Sequence, residues 1–198
     1  MAARRAPLDY VAGPVLAPLR RLGVLPDHIT VAAFIVSLAA AGVIAAGRLL
    51  PGLALMALGQ VLDGLDGAMA RRYDLGSPAG ARLDTQLDRA SEAALFAACG
   101  FAGLAPWKLV LLALAAIVLM TTIVARSHLD LGVKRVALYF GLWFPYPPIF
   151  LVIFTVNLAA YVAGLLVCDI QFQKRMDALG GDLDTVASRA ATLASGGR

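Results

Sequence analysis

Long apolar runs broken at short polar intervals dominate the chain. The uncharged stretch from Ile29 to Ala46 is long enough for a first membrane span and is preceded by Pro26-Asp27, a helix-starting pair with Asp27 as the expected N-cap. Arg48 and Pro51 mark a tight connection, and a second, mostly apolar run from Leu53 to Leu62 then meets Asp63. A third run covers Ala93 to Trp107 and a fourth Leu109 to Ala125. Val136 to Cys168 carries no charge, is too long for one span, and is divided by Pro145, Pro147 and Pro148. The pattern predicts an all-α integral membrane protein with six transmembrane helices. Leu8 to Gly23, alternating apolar and small residues and closing on Arg20 and Arg21, predicts an amphipathic helix lying on the membrane surface. The expected organisation is an N-terminal interfacial segment over 1–25, a six-helix domain over 26–175 and a cytoplasmic C-terminal tail over 176–198, weakly ordered from Asp177 onward.

Composition agrees with lipid as the solvent. Hydrophobic residues make up 60% of the 198 and charged residues 15%, against roughly a quarter in soluble domains. Charge asymmetry supplies an orientation. Of the 17 Lys and Arg residues, only Arg48 and Lys108 fall on the side opposite the termini. The positive-inside rule then puts both termini and the connections after the second and fourth spans in the cytoplasm. Cys99 and Cys168 both sit in apolar runs and read as buried thiols, with no disulfide framework or zinc site.

The second and third helices are unusual because each is apolar in one half and charged in the other. Asp63 and Asp66 are three apart and share a helical face, continued by Gly67, Ala70 and Arg71. On the next helix Gly80, Asp84 and Asp88 recur every fourth residue, again on one face. Antiparallel packing of the two helices brings four carboxylates together inside the bundle, beside gaps left by Gly67, Ala70 and Gly80. Acidic groups there are costly unless a cation compensates, and oxygen-only ligands select hard ions, Mg²⁺ first and Mn²⁺ as an alternative. Four carboxylates can hold two. A salt-bridged boundary neutralised by Arg71, Arg82 and Arg89 explains the charges without the recurring glycines. A membrane cation or proton transporter would use the same acids, but predicts further polar groups deep in the other helices.

The stretch from Asp63 to Asp88 reads D-x2-D-G-x2-A-R-x8-G-x3-D-x3-D, eight specified positions within 26 residues, and resembles the motif of the CDP-alcohol phosphotransferase family. The resemblance implies a transferase of phospholipid biosynthesis. Such an enzyme moves a substituted phosphoryl group, in many members phosphatidyl from CDP-diacylglycerol, to an alcohol and releases CMP. It implies that Asp63, Asp66, Asp84 and Asp88 bind two divalent ions, with Asp88 as general base, and that Gly67, Ala70, Arg71 and Gly80 form the nucleotide pocket. Pro26-Asp27-x-x-Thr30 is similar to a family segment that approaches the CDP, where Asn is common at the position of Asp27. Homodimers are frequent among relatives, and nothing calls for a nucleic-acid partner.

The acceptor is less legible. Arg126, Lys134 and Arg135 follow the fourth helix and suit the phosphate of a phosphorylated alcohol such as inositol phosphate or glycerol phosphate. Ala125-Arg126 resembles a segment of the members that make phosphatidylinositol phosphate and phosphatidylglycerol phosphate. The same residues also read as plain positive-inside charge. Glu92, one turn beyond Asp88, reads either as a support for the metal site or as the partner of Arg89.

Overall fold

The computed structural model describes residues 13–127 and 134–195, and these described residues are 87% helix with no strand. Its helices are α1 (Gly13–Arg21), α2 (Pro26–Ala45), α3 (Leu49–Tyr73), α4 (Pro78–Phe101), α5 (Trp107–Ser127), α6 (Lys134–Tyr139) and α7 (Tyr146–Ser195), with a 3₁₀ turn at Phe140–Leu142. The chain divides into two compact units. One comprises residues 1–115 and 132–154, the other 116–131 and 155–198. Both motif helices belong to the first.

The local chemistry sets the boundaries. Pro26 opens α2 at its first position, where a missing N–H costs nothing. The N-cap is Leu25, whose backbone N–H donates to His28 Nδ1 at 3.3 Å, so Asp27 is not the cap expected of it. It lies in the first turn instead, and its carboxyl is free to serve elsewhere. Helix α3 ends on Asp74 in the left-handed conformation (φ 52°), whose N–H returns to the Ala70 carbonyl. Three residues later Ser77 caps α4, its Oγ accepting from the Gly80 N–H at 2.9 Å, with Pro78 at the first helical position.

Helix α2 is the hub of the first unit, since it packs along both α3 and α4. Its approach to α3 depends on small residues. A Cβ on Gly59 would stand 2.7 Å from Ser37 Oγ, and one on Gly52 would collide with Ile44. The two motif helices approach each other much less closely than either approaches α2. The antiparallel pair expected from the sequence is therefore wedged open by α2, and the space between α3 and α4 remains. Helix α1 closes one end, burying Leu16 with Ile29, Ala68 and Met69. On α4, Phe96 meets Phe150 edge-to-face at 5.2 Å.

Among the described residues, three helices are long and apolar enough to cross a membrane: Pro26–Ala45, Leu49–Tyr73 and Tyr146–Lys174. The stretch Trp107–Leu119 of α5 is apolar as well. Large side chains such as Ile35, Leu50, Val61 and Leu166 are exposed, the surface expected where lipid is the solvent. Helix α6 and the 3₁₀ turn that follows it lie in the stretch from which a fifth span is expected. From Asp177 to Ser195 the backbone continues α7 in a stretch that contains no proline. Cys99 is buried and Cys168 only partly so; both are free thiols.

Candidate metal and nucleotide site

Asp63 and Asp66 project from α3, and Asp84 from α4. One carboxylate oxygen from each lies within 4.8 Å of the other two. Asp66 is the most enclosed of the three, 7% exposed. Its Oδ2 accepts from Thr30 Oγ1 at 2.6 Å, so α2 supplies the group that fixes the carboxylate. Thr30 Oγ1 also lies 3.2 Å from the Pro26 carbonyl. Asp84 precedes the apolar half of α4. Burial, reinforced by the charges of Asp66 and Asp88, pushes its carboxyl up to about 6. Three partly buried carboxylates that disfavour one another's charge, all-oxygen and convergent, fit a hard divalent cation.

Two predictions follow from this local chemistry. Because Asp84 titrates near 6 in the fold against 3.8 in the unfolded chain, the folded state holds the extra proton between those values. Without a cation, stability therefore falls as pH rises from about 4 to about 6. A divalent ion should offset that loss. The gain in unfolding midpoint on adding Mn²⁺ in detergent is expected to be larger at about pH 7.5 than at about pH 5. The second concerns Thr30. Thr30→Val keeps the shape but removes the hydroxyl that donates to Asp66, and should weaken Mn²⁺ binding by roughly 10–100-fold, read by metal titration.

Asp88 has a partner of its own. Arg135, from α6, ion-pairs with the Asp88 carboxylate, and its Nη2 also donates to the Asp88 carbonyl at 3.0 Å and to Ser91 Oγ at 2.8 Å. The fourth motif acid is thus neutralised by a residue 47 positions downstream. Arg89, the nearer arginine, pairs with Glu92 at 2.9 Å. Of the residues expected to bind the acceptor, Arg135 lies in this unit, beside Asp88. Arg126 falls in α5 within the second unit, and the side chains of Arg126 and Lys134 are outside the described residues.

Next to the carboxylates is a cavity of about 220 Å³. Its walls are Pro26, Asp27 and Thr30 from α2, Asp66, Gly67, Ala70 and Arg71 from α3, Leu75, Gly76 and Ser77 from the connection, and Gly80, Ala81 and Asp84 from α4. All six residues expected to bind nucleotide line it. Asp66 and Asp84 belong to both the cavity and the carboxylate cluster, so the two form one continuous site. A Cβ on Gly80 would stand 2.8 Å from Asp27 Oδ1, which shows how closely α2 and α4 approach at this wall. Leu75, Gly76, Ser77 and Ala81 were missed by sequence reasoning, although Ser77-Pro78 is a legible helix start that would have placed the connection at the mouth. Ser91 had no such signal.

Residues 23–180 match the CDP-alcohol phosphatidyltransferase family. The chain belongs to that family, whose members are transferases of substituted phosphate groups. Among curated relatives it is 39% identical over 93 residues to the phosphatidylinositol phosphate synthase of Mycobacterium marinum, a match covering 46% of this chain and 40% of that one. It is 40% identical over 87 residues to the archaetidylinositol phosphate synthase of Methanothermobacter thermautotrophicus, covering 42% of this chain and 45% of the relative. The matched segments thus span less than half the length of each. Among solved structures, phosphatidylinositol phosphate synthase from Mycobacterium tuberculosis with CDP-DAG bound superposes with a TM-score of 0.62 at 25% identity, covering 77% of this chain and 88% of that one. The same enzyme in complex with manganese and citrate also gives 0.62 at 25% identity, covering 77% and 84%.

Proposed function

We propose that this protein transfers a phosphatidyl group from CDP-diacylglycerol to the hydroxyl of a phosphorylated polyol, with inositol phosphate the first candidate, and releases CMP. The carrying observation is the continuity of the three-carboxylate cluster with the neighbouring cavity of about 220 Å³ through Asp66 and Asp84. The bound donor of one structural neighbour, the manganese in another and the inositol-phosphate products named for several relatives support the reading.

In this reading Asp63, Asp66, Asp84 and Asp88 hold two divalent ions, Mg²⁺ or Mn²⁺. Bound there, the ions would neutralise the donor's pyrophosphate and stabilise CMP as it leaves. Gly67, Ala70 and Gly80 leave room for the nucleotide, while Arg71 can fork onto phosphate oxygens. Asp27 and Thr30 border the same space from α2. The acceptor hydroxyl forms a new bond to the phosphorus bearing the diacylglycerol, the anhydride bond to CMP breaks, and Asp88 takes the hydroxyl proton. Arg126, Lys134 and Arg135 are the residues for the acceptor's phosphate. The site opens toward the cytoplasm, following the charge bias, in a six-helix bundle that pairs as a homodimer.

The test is CMP release by purified protein in detergent with Mg²⁺ and CDP-diacylglycerol, with inositol phosphate, glycerol phosphate, inositol and serine supplied separately. Release with inositol phosphate alone, abolished by EDTA, is the expected result. Release with a different acceptor would reassign the substrate, and ion flux in liposomes without any nucleotide requirement would overturn the transferase reading.

A further inference from the structure

The four motif aspartates are not equivalent in this fold. Asp63, Asp66 and Asp84 converge on one another, whereas Asp88 is already matched by a positive charge. That charge is well enclosed, since the Arg135 side chain is only 9% exposed. One terminal nitrogen, with two protons, serves three acceptors: the Asp88 carboxylate, the Asp88 carbonyl and Ser91 Oγ. Ser91 Oγ in turn donates to the Asp88 carbonyl at 2.8 Å, closing the ring. The Arg135 Nε is buried and has no hydrogen-bond partner. A guanidinium crowded at one end and unsatisfied at the other is held by charge more than by complementary geometry.

The surroundings indicate what that charge replaces. A small cavity of about 10 Å³ lies where Asp63, Asp88, Ser91, Ser37, Thr30 and Arg135 meet, close to the volume that one water or small ion occupies. Asp63 therefore faces both ways, toward the three-carboxylate cluster and toward Asp88. A cation drawn to this second space meets Arg135 as a like charge and as a competitor for the same carboxylate.

Resting on the reading of the four aspartates as a two-ion site, we propose that Arg135 is a built-in counter-cation for Asp88. It holds that carboxylate out of metal coordination until a second divalent ion displaces it. The two ions then bind in order. The first goes to Asp63, Asp66 and Asp84 without rearrangement. The second binds only as Asp88 exchanges the guanidinium for it. Arg135 in this role is a positioning residue, and it sets the affinity of the second ion.

Titration with Mn²⁺, followed by the electron-spin-resonance signal of the free ion, tests this without donor or acceptor. The wild-type protein in detergent should show one tight and one weaker site. R135Q should tighten the weaker site by about tenfold, the scale on which partners of ligating groups act, and leave the tight site unchanged. R135K, which keeps the charge, should stay close to wild type. A merely structural loss would weaken metal binding, not strengthen it. Should R135Q fail to fold, S91A loosens the same clamp and should move the second site in the same direction by a smaller factor. D88N should leave one site, and adding R135Q to it should change nothing further. Unchanged or weaker second-site binding in R135Q, or in S91A where R135Q does not fold, would overturn the inference, as would an effect of R135Q that persists in D88N. A wild-type protein that binds no Mn²⁺ would instead sink the metal-site reading beneath it.

Discussion

Asp66→Asn should reduce CMP release by at least about a thousandfold while the protein still folds, because partners of metal-binding groups alone are worth roughly 10–100-fold and Asp66 is itself a proposed ligand. Three features make it the most sensitive of the four. It is the most buried motif carboxylate, it is fixed by Thr30 at 2.6 Å, and it borders both the carboxylate cluster and the nucleotide cavity. The amide keeps the volume but loses the charge and one acceptor oxygen, and its NH₂ would be directed at positions prepared for an oxygen. The unfolding midpoint without metal should not fall, since one of several mutually repelling carboxylates has been neutralised. The gain in midpoint on adding Mn²⁺ should largely disappear. Turnover and thermal unfolding measured on the same preparation separate a lost ligand from a lost fold. Activity within tenfold of wild type would remove Asp66 from the proposed ligand set.

Gly80→Leu should act on the other half of the site. Even the first atom of a side chain there meets Asp27 Oδ1 at 2.8 Å and Ser77 Oγ at 3.1 Å. Asp27 is exposed and can rotate aside, so the fold should survive. The remaining atoms then project into a cavity of about 220 Å³ that the nucleotide is proposed to fill. Overpacking typically costs about 1–3 kcal/mol, which corresponds to a loss of roughly 5–150-fold in donor affinity. The expected pattern is a raised KM for the CDP-linked donor, with Mn²⁺ affinity retained because no carboxylate has changed. A variant with unaltered KM but lower kcat would show that the nucleotide does not pass this wall. Together the two substitutions divide the site into a metal half and a nucleotide half that meet at Asp66 and Asp84.

Much of this site was legible in the sequence because helical periodicity is a strong local constraint. Asp63 and Asp66 three apart, and Gly80, Asp84 and Asp88 at every fourth position, must share faces whatever the rest of the chain does. The apolar runs likewise announced α2, α3 and the first part of α7, since a span of that length has few alternatives in lipid. Asp27 was misassigned as a cap because Leu25 has no sequence feature that marks it, and the cap is completed by His28 three residues later.

What the sequence determined by itself, then, was the solvent, the helices and the set of acids, because composition and periodicity act over distances of a few residues. Only the tertiary structure decided how those acids are divided. Helix α2 wedges α3 and α4 apart, opens a cavity between them and supplies Thr30 to Asp66. Helix α6, brought back against α4, supplies Arg135 to Asp88. Those contacts join residues 36 and 47 positions apart. They depend on which helices pack together and how closely small residues let them approach, and no local spacing encodes either.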